Sequence, residues 1–479
     1  MRTFRDTWLI VIVTASLALG VSVLTRGHDW GDDWASYVLQ AQSLLNGTTR
    51  EFITRNTFTI FESSFQIGPV AYPWGYPLLL TPALLLKGVH ALTLKLPGLF
   101  LFAGFLLCLF AWMKNRLTRT ESLLLVSIFA FNPTLILFLD QILSDIPFLF
   151  FITLGLLWID RAKPTLREQM LLGMLIFFAA FIRTTGVILL AAYLAHQGLD
   201  FLRLPGNRKQ IVAHAAQVTL TFAALWLISS LLLPNGQGSY LEQLKGLTPE
   251  IFRGNFPYYY SLFPQFFGQS AFWLTVFPFF VGLFLIGVVA RRHSDQSLWL
   301  FFTLYLIAML FWPERQGIRF IFPVLPLFVY FMFQGVRTLA GLMPASTQRP
   351  FNLAAHGLWL VIAGTFLYSS SMLAYTNLKD DRAINGPFDQ YSQAVYQFVK
   401  TETPPDSVIV FWKPRAMRLF TDHDTLMSTE CNRLPLGDYA VISKKAEHSQ
   451  VPPDQIDECG LNLRTVFENQ RFIIYELPK

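Results

Sequence analysis

Charge is scarce in this chain. Of 479 residues only 14% are Asp, Glu, Lys or Arg, against roughly 25% in soluble globular proteins, while 53% are hydrophobic and 15% aromatic. A water-soluble core cannot enclose 46 Phe and 12 Trp, so much of the apolar surface must face lipid. An ordinary soluble enzyme is excluded. Cysteine is scarcer still: Cys108 lies in an apolar run, Cys431 and Cys459 lie in the tail, and no C-x-x-C spacing exists. A Cys431–Cys459 disulfide in an oxidising compartment, set against two unpaired thiols, is the one cysteine-based expectation. Internal repeats and low-complexity tracts are missing too, which weakens an inverted-repeat transporter reading.

The few charges are unevenly spread. Residues 377–479 hold 15 of the 31 acidic and 12 of the 37 basic residues, a net of −3, so the first 376 carry +9. A basic membrane part (1–376) joined to a mildly acidic tail (377–479) accounts for the overall +6 without a nucleic-acid partner, because inner loops normally carry that excess.

Apolar segments of spanning length occupy about 8–25, 95–113, 121–139, 142–159, 168–182, 184–200, 209–233, 271–290, 296–312, 317–338 and 352–375, which makes eleven expected transmembrane helices. The first reads as an uncleaved helix, since no small-x-small cleavage site comes after it. Segment 76–92 is also apolar but contains Pro77, Pro82 and Lys87. If it spanned, every later basic loop would flip outward. Without it, and with the N-terminus inside, the inner segments hold 15 of the 25 basic residues of the membrane part, among them Arg2, Arg5, Arg116, Lys163, Arg291 and Arg337. Residues 76–92 are therefore placed at the outer interface or as a re-entrant element. Three regions then lie outside the cytoplasm: a loop over 26–94, a loop over 234–270, and the tail. The tail reads as a small α/β domain. Phe388, Tyr391, Val395 and Phe398 share one helical face, and residues 408–412, 439–443 and 471–477 read as strands.

The most informative stretch is HDWGDDWASYVLQAQSLLNG at 28–47. Asp29, Asp32 and Asp33 cluster beside an aromatic-rich surface, where partial desolvation raises a carboxylate's proton affinity and suits it to general-base work. Ala35, Val38, Leu39 and Leu45, with Tyr37 and Gln42, suggest an amphipathic helix along the membrane, with Asp32 or Asp33 capping its N-terminus. The competing account is that these acids are caps and solvated loop charges only.

Here the sequence resembles the GT-C membrane glycosyltransferases, specifically the family 39 or dolichyl-phosphate-mannose-protein mannosyltransferase-like group, which includes bacterial enzymes that use polyprenyl-phosphate sugars. The resemblance runs through most of the chain. It rests on Asp33, Tyr37, Leu44, Leu45 and Gly47 after the first helix, AYPWGYPLLL at 71–80, Lys95-Leu96-Pro97, LSDIPF at 143–148, FIRTTG at 181–186 and RFIFPVLPLF at 319–328. It implies a GT-C fold and inverting transfer of a sugar from a polyprenyl-phosphate donor to a glycan, lipid or protein acceptor at the outer face. A first-loop aspartate then acts as base. Asp33 matches by its spacing to Tyr37, and Asp32 is the alternative register.

The residues carry this chemistry on their own account. A phosphate leaving group needs no general acid, so one carboxylate base and cationic phosphate anchors suffice. Arg319, Arg183 and Arg315 are candidate anchors on short outer connections, since a guanidinium fork donates paired hydrogen bonds to phosphate. Their competing role is snorkelling or surface charge. Asp145, Tyr37 and Tyr76 are candidates for orienting substrate, while Trp30, Trp34, Tyr72 and Trp74 serve either as sugar-stacking faces or as an interfacial belt. His28 and His90 read as structural. The first-loop acids offer a place for a divalent ion, but no metal-ligand set is legible. The competing function classes are a lipid-linked-sugar flippase, which calls for ionisable groups at mid-bilayer, and a cell-envelope assembly protein.

Overall fold

A computed structural model describes residues 7–161, 165–234, 248–445 and 447–478. The N-terminal Arg2 and Arg5, the inner-loop Lys163 and residues 235–247 lie outside the described residues. A helical bundle carries, at one end, a smaller body made of the first loop and the tail.

The bundle helices are α1 (Thr7–Val23), α5 (Ala91–Met113), α6 (Arg119–Ala130), α7 (Pro133–Phe138), α8 (Asp145–Arg161), α9 (Leu166–Ile182), α10 (Val187–Arg203), α11 (Arg208–Leu232), α12 (Pro249–Phe267), α13 (Ala271–Arg291), α14 (Gln296–Leu310), α15 (Leu325–Gly341) and α16 (Ala345–Lys379). Between α1 and α5, the first loop folds into α2 (Asp33–Asn46), α3 (Thr49–Phe61) and α4 (Gly75–Lys87). Among the described residues five segments are long and apolar enough to cross a membrane: Ala91–Met113, Thr184–Arg203, Pro205–Leu232, Ala271–Arg291 and Ala345–Lys379. Leu220, Leu231 and Phe272 on their surfaces are 69%, 78% and 61% exposed, an apolar exterior that only lipid accommodates.

Each of the eleven expected spans contains a helix, with local departures. Segment 121–139 is two helices, because Asn132 caps the second through the Leu135 amide at 3.1 Å and Pro133 cannot continue the first. Segment 317–338 opens with a 3-10 turn, Gly317–Ile321, before α15 begins. The described residues 248–270 of the second outer loop are largely a helix: Thr248 caps α12, and its Tyr259, Phe263, Phe266 and Phe267 are buried against the bundle, with the Phe266 carbonyl accepting from Asn132 Nδ2 at 2.9 Å. Helices α13 and α15 approach so closely that a Cβ on Gly335 would fall 2.0 Å from the Leu283 carbonyl oxygen, the close backbone contact that small residues permit between membrane helices.

The basic connections gather at one end. Arg116 pairs with Asp160 at 2.6 Å and Asp295 at 3.0 Å, Arg291 reaches Asp295 at 2.8 Å, and Arg337 Nη1 donates to the Arg116 carbonyl at 2.8 Å. At the other end Lys95, fully buried, binds Asp140 at 2.6 Å and the Gly27 carbonyl at 2.7 Å, tying the start of the first loop to α5.

The tail adds α17 (Gln390–Glu402), α18 (Pro414–Thr421) and a five-stranded sheet of order β2-β1-β3-β5-β4. Strands β1 (Val408–Phe411), β2 (Asp424–Leu426) and β3 (Tyr439–Ser443) run parallel, and β5 (Phe472–Glu476) joins β3 and β4 (Arg464–Glu468) antiparallel. Three strands and α17 stand where the apolar pattern puts them. Strand β2 is three residues long and β4 is a charged, largely exposed edge, so neither carries a hydrophobic run. Cys431 and Cys459 form a disulfide, with Cα atoms 5.2 Å apart and a sequence separation of 28. Replacing Cys431 by Ser is expected to cost the tail roughly 3 to 4 kcal/mol by the loop-entropy argument. Equal thermal midpoints for the two proteins without reductant would refute this.

First loop and tail form one body. Arg55 on α3 holds Asp424 at 2.7 Å and Asp422 at 2.6 Å. Ser64 N donates to the Met427 carbonyl at 2.9 Å, and Arg26 N to the Ala383 carbonyl at 3.0 Å. Trp30 packs on Trp412 with centroids 5.0 Å apart, and Trp34 on Phe388 at 5.6 Å.

Candidate active site

The two adjacent carboxylates part company at the start of α2. Asp32 occupies the N-cap position in helical backbone geometry and makes no capping hydrogen bond, while Asp33 is the first helical residue. Consecutive residues project about 100° apart on a helix, so one acid faces the tail and the other a cavity. Asp32 lies 3.5 Å from Arg415 Nε of α18, with the two side chains 9% and 0% exposed. Burial pushes the Asp32 carboxyl up, against the pull of the Arg415 and Lys413 cations. The expected cap is therefore a buried ion pair across the seam, and α2 is buried on nearly every side where an interfacial helix was expected.

Asp33 turns into an open cavity of about 220 Å³, bounded by residues 66–69 and 72–73 of the first loop, the 182–185 turn between α9 and α10, and the stretch from Tyr305 to Phe320. Its Oδ1 accepts from the Tyr72 hydroxyl at 2.6 Å, and its Oδ2 stands 3.3 Å from Arg319 Nη2. Tyr72 is held in turn: the Gln40 amide clamps its backbone, donating to the carbonyl at 2.9 Å and accepting from the amide at 3.0 Å. The Tyr37 ring packs on it at 4.6 Å. Asp33 is thus a carboxylate with fixed direction on a cavity wall.

The cations arrive from two breaks in the bundle. Arg183 terminates α9 in extended geometry. Its guanidinium lies 5.2 Å from the Phe320 ring centroid and 5.8 Å from that of Phe148, and it pairs with Asp145 of α8. Arg319 sits in the 3-10 turn before α15, bonded to Gln316, within the fields of both Asp33 and the Asp145–Arg183 pair. The cavity therefore presents one oriented carboxylate beside two guanidiniums, an arrangement able to accept a proton and bind a phosphate.

Not every candidate converges. Asp33, Tyr37, Arg183 and Arg319 line the cavity. Asp145 is buried behind Arg183 and orients it. Arg315 is placed elsewhere: its Nε donates to Asn255 at 2.9 Å and its guanidinium lies over Tyr258 at 5.1 Å, both residues of α12. Tyr76 is 1% exposed and packs edge-on to Tyr37, supporting the wall without forming it. Glu314 faces the cavity and accepts from Gln316 Nε2 at 2.9 Å. Trp30 and Trp34 belong to the seam with the tail. His28 accepts the Ile142 amide at 3.0 Å and His90 caps α5, both structural as read. The residues that sequence reasoning passed over as site components are Tyr72, Gln40, Gln316 and Arg415. Tyr72 stood only as one aromatic among several, and nothing in the local pattern links Arg415 to residues more than three hundred positions earlier. Among the described residues no group of three His, Cys, Asp or Glu side chains gathers as a metal-ligand set.

No protein-family model and no curated relative matches the chain. Among solved structures, ArnT from Cupriavidus metallidurans bound to undecaprenyl phosphate is similar over 98% of both chains, with a TM-score of 0.56 at 11% identity. The archaeal oligosaccharyltransferase AglB from Archaeoglobus fulgidus, in complex with an inhibitory peptide and a dolichol-phosphate, is similar over 88% of this chain and 64% of its own, with a TM-score of 0.55 at 12% identity. The chain has the GT-C fold, that of a polytopic helical membrane protein with a small C-terminal sheet domain.

Proposed function

We propose that this protein is an inverting membrane glycosyltransferase that moves a sugar from a polyprenyl-phosphate donor to an acceptor at the outer face of the membrane. The observation that carries this is the Asp33 carboxylate, oriented by Tyr72 and facing a cavity that also presents Arg319 and Arg183. Two neighbours in fold bind a polyprenyl or dolichol phosphate, which supports the choice of donor.

In this reaction the acceptor nucleophile gives its proton to Asp33 as it attacks the anomeric carbon. The bond from that carbon to the phosphate oxygen breaks, and its electron pair stays on the phosphate. Arg183, held back by Asp145, is suited to that oxygen, while Arg319 spans the distance between phosphate and base. Tyr72 occupies one Asp33 oxygen, leaving the other, beside Arg319, to take the proton. Direct displacement inverts the anomeric configuration. The family 39 and mannosyl assignments, the inside N-terminus and the extracytoplasmic tail belong to the same proposal, resting on the sequence resemblance and on the basic loops gathered at the end opposite Asp33.

Mass spectrometry of lipid co-purifying with the protein tests the donor. A polyprenyl phosphate or its sugar ester is the expected species. Bulk phospholipid alone, with no binding of added undecaprenyl phosphate, would overturn the proposal.

A further inference from the structure

The cavity holds a second carboxylate, which neither proton transfer nor phosphate binding uses. Among the residues that line it the acids are Asp33 and Glu314, and the cations are Arg183 and Arg319. Arg183 is matched by Asp145 behind it, and Arg319 by Asp33. Glu314 is left over. It is exposed and makes no ion pair among the described residues, since its neighbour Arg315 turns away to Asn255 and Tyr258. Glu314 is nevertheless held in place, because Gln316 Nε2 donates to its Oε2 at 2.9 Å and Gln316 Oε1 accepts from Arg319. A carboxylate only accepts and a guanidinium only donates, so the amide between them has a single orientation and ties the two together. Glu314, Gln316 and Arg319 thus form one polar edge of the cavity, and that edge ends at Asp33.

Building on the reading of this cavity as the glycosyl-transfer site, we propose that Glu314, held by Gln316, determines which sugar is transferred: it accepts hydrogen bonds from the hydroxyls of a ring without negative charge and rejects a ring that carries a carboxylate. Phosphate at Arg183 and base at Asp33 fix the two ends of the displacement. The ring between them lies beside Arg319, and Gln316 carries the polar edge on from Arg319 to Glu314. A cavity of about 220 Å³ has room for one monosaccharide ring rather than a chain of them. The donor phosphodiester brings a further negative charge to a space whose cations are already matched, so a uronate meets the unpaired Glu314 with nothing to offset it. A sugar hydroxyl gains a charge-assisted hydrogen bond there. A carboxylate meets like charge in a partly desolvated space, and repulsion of a wrong ligand sets specificity as surely as attraction of the right one.

The test reads binding and needs no acceptor. Full-length protein in nanodiscs is offered equal amounts of undecaprenyl phosphoglucose and undecaprenyl phosphoglucuronate, which differ only at C6, and native mass spectrometry counts the two complexes. The mannose and mannuronate pair is run alongside, with bare undecaprenyl phosphate as the reference. The wild type is expected to favour the neutral ester by about tenfold in each pair, Glu314→Gln to bring the ratio near one, and Glu314→Lys to reverse it. The glutamine variant keeps the bond from Gln316 and removes no ion pair, so its thermal midpoint is expected to match the wild type. A ratio near one in the wild type, or no ester bound where the bare phosphate binds, overturns the proposal. A preference that survives in Glu314→Gln overturns it too, by placing the discrimination on another residue. Each of these results leaves the donor reading standing, whereas a wild type that binds neither undecaprenyl phosphate nor any of its esters overturns that reading itself.

Discussion

Asp33→Asn is expected to yield a folded protein whose sugar transfer falls by about 10²- to 10⁴-fold, the range typical for loss of a general base. The amide keeps the shape of the carboxylate and can still accept from Tyr72, but it cannot take the acceptor's proton. Stability is expected to change little, because the side chain is 29% exposed and its partners, Tyr72 and Arg319, both face the cavity. Arg319 pairs with it at 3.3 Å and loses a partner that water or a donor phosphate replaces. The measurement is initial rate with a polyprenyl-phosphate sugar, alongside the thermal midpoint. Full transfer by Asp33→Asn sinks the mechanism.

Asp32→Ala is expected to do the opposite, with its largest effect on folding. It leaves the Arg415 guanidinium buried without its carboxylate, a situation that costs about 3 to 5 kcal/mol. The loss falls on the seam between first loop and tail, which already crowds cations: burial beside Arg55 and Arg415 pulls Arg418 down to about 10. Because Arg418 is also buried there, the seam has little capacity to absorb a further uncompensated charge. The readout is the detergent-solubilised thermal midpoint and protease sensitivity of the 62–74 segment. Removing both partners, as in Asp32→Leu with Arg415→Met, is expected to recover most of the lost stability, since a buried pair exchanged for apolar groups is close to neutral. A single Asp32→Ala variant as stable as wild type would show that the pair does not hold the seam. The two substitutions separate adjacent acids by effect, one on rate and one on folding.

Much of this was legible in the sequence, and particular residues show why. The helix break at Arg183 comes from local chemistry, since an arginine interrupts the apolar run over 168–200. Strands β1, β3 and β5 are unbroken apolar runs. Helix α12 was not legible, because an aromatic run with two prolines, PYYYSLFP, reads as neither a span nor a polar loop; α12 is held by burial of Tyr259, Phe263, Phe266 and Phe267, which no local pattern records. Arg315 sits apart from the cavity lining for the same reason, since α12 brings Asn255 and Tyr258 to it.

The scarcity of charge, its division between a basic bundle and an acidic tail, and the placement of acids just after the first helix were determined by sequence alone, because hydropathy and charge act on each segment independently of its neighbours. The separation of Asp32 from Asp33 was not. It depends on a turn of about 100° at a helix start and on an arginine delivered from the other end of the chain, and only a folded seam between first loop and tail decides which carboxylate meets a buried cation and which meets the cavity.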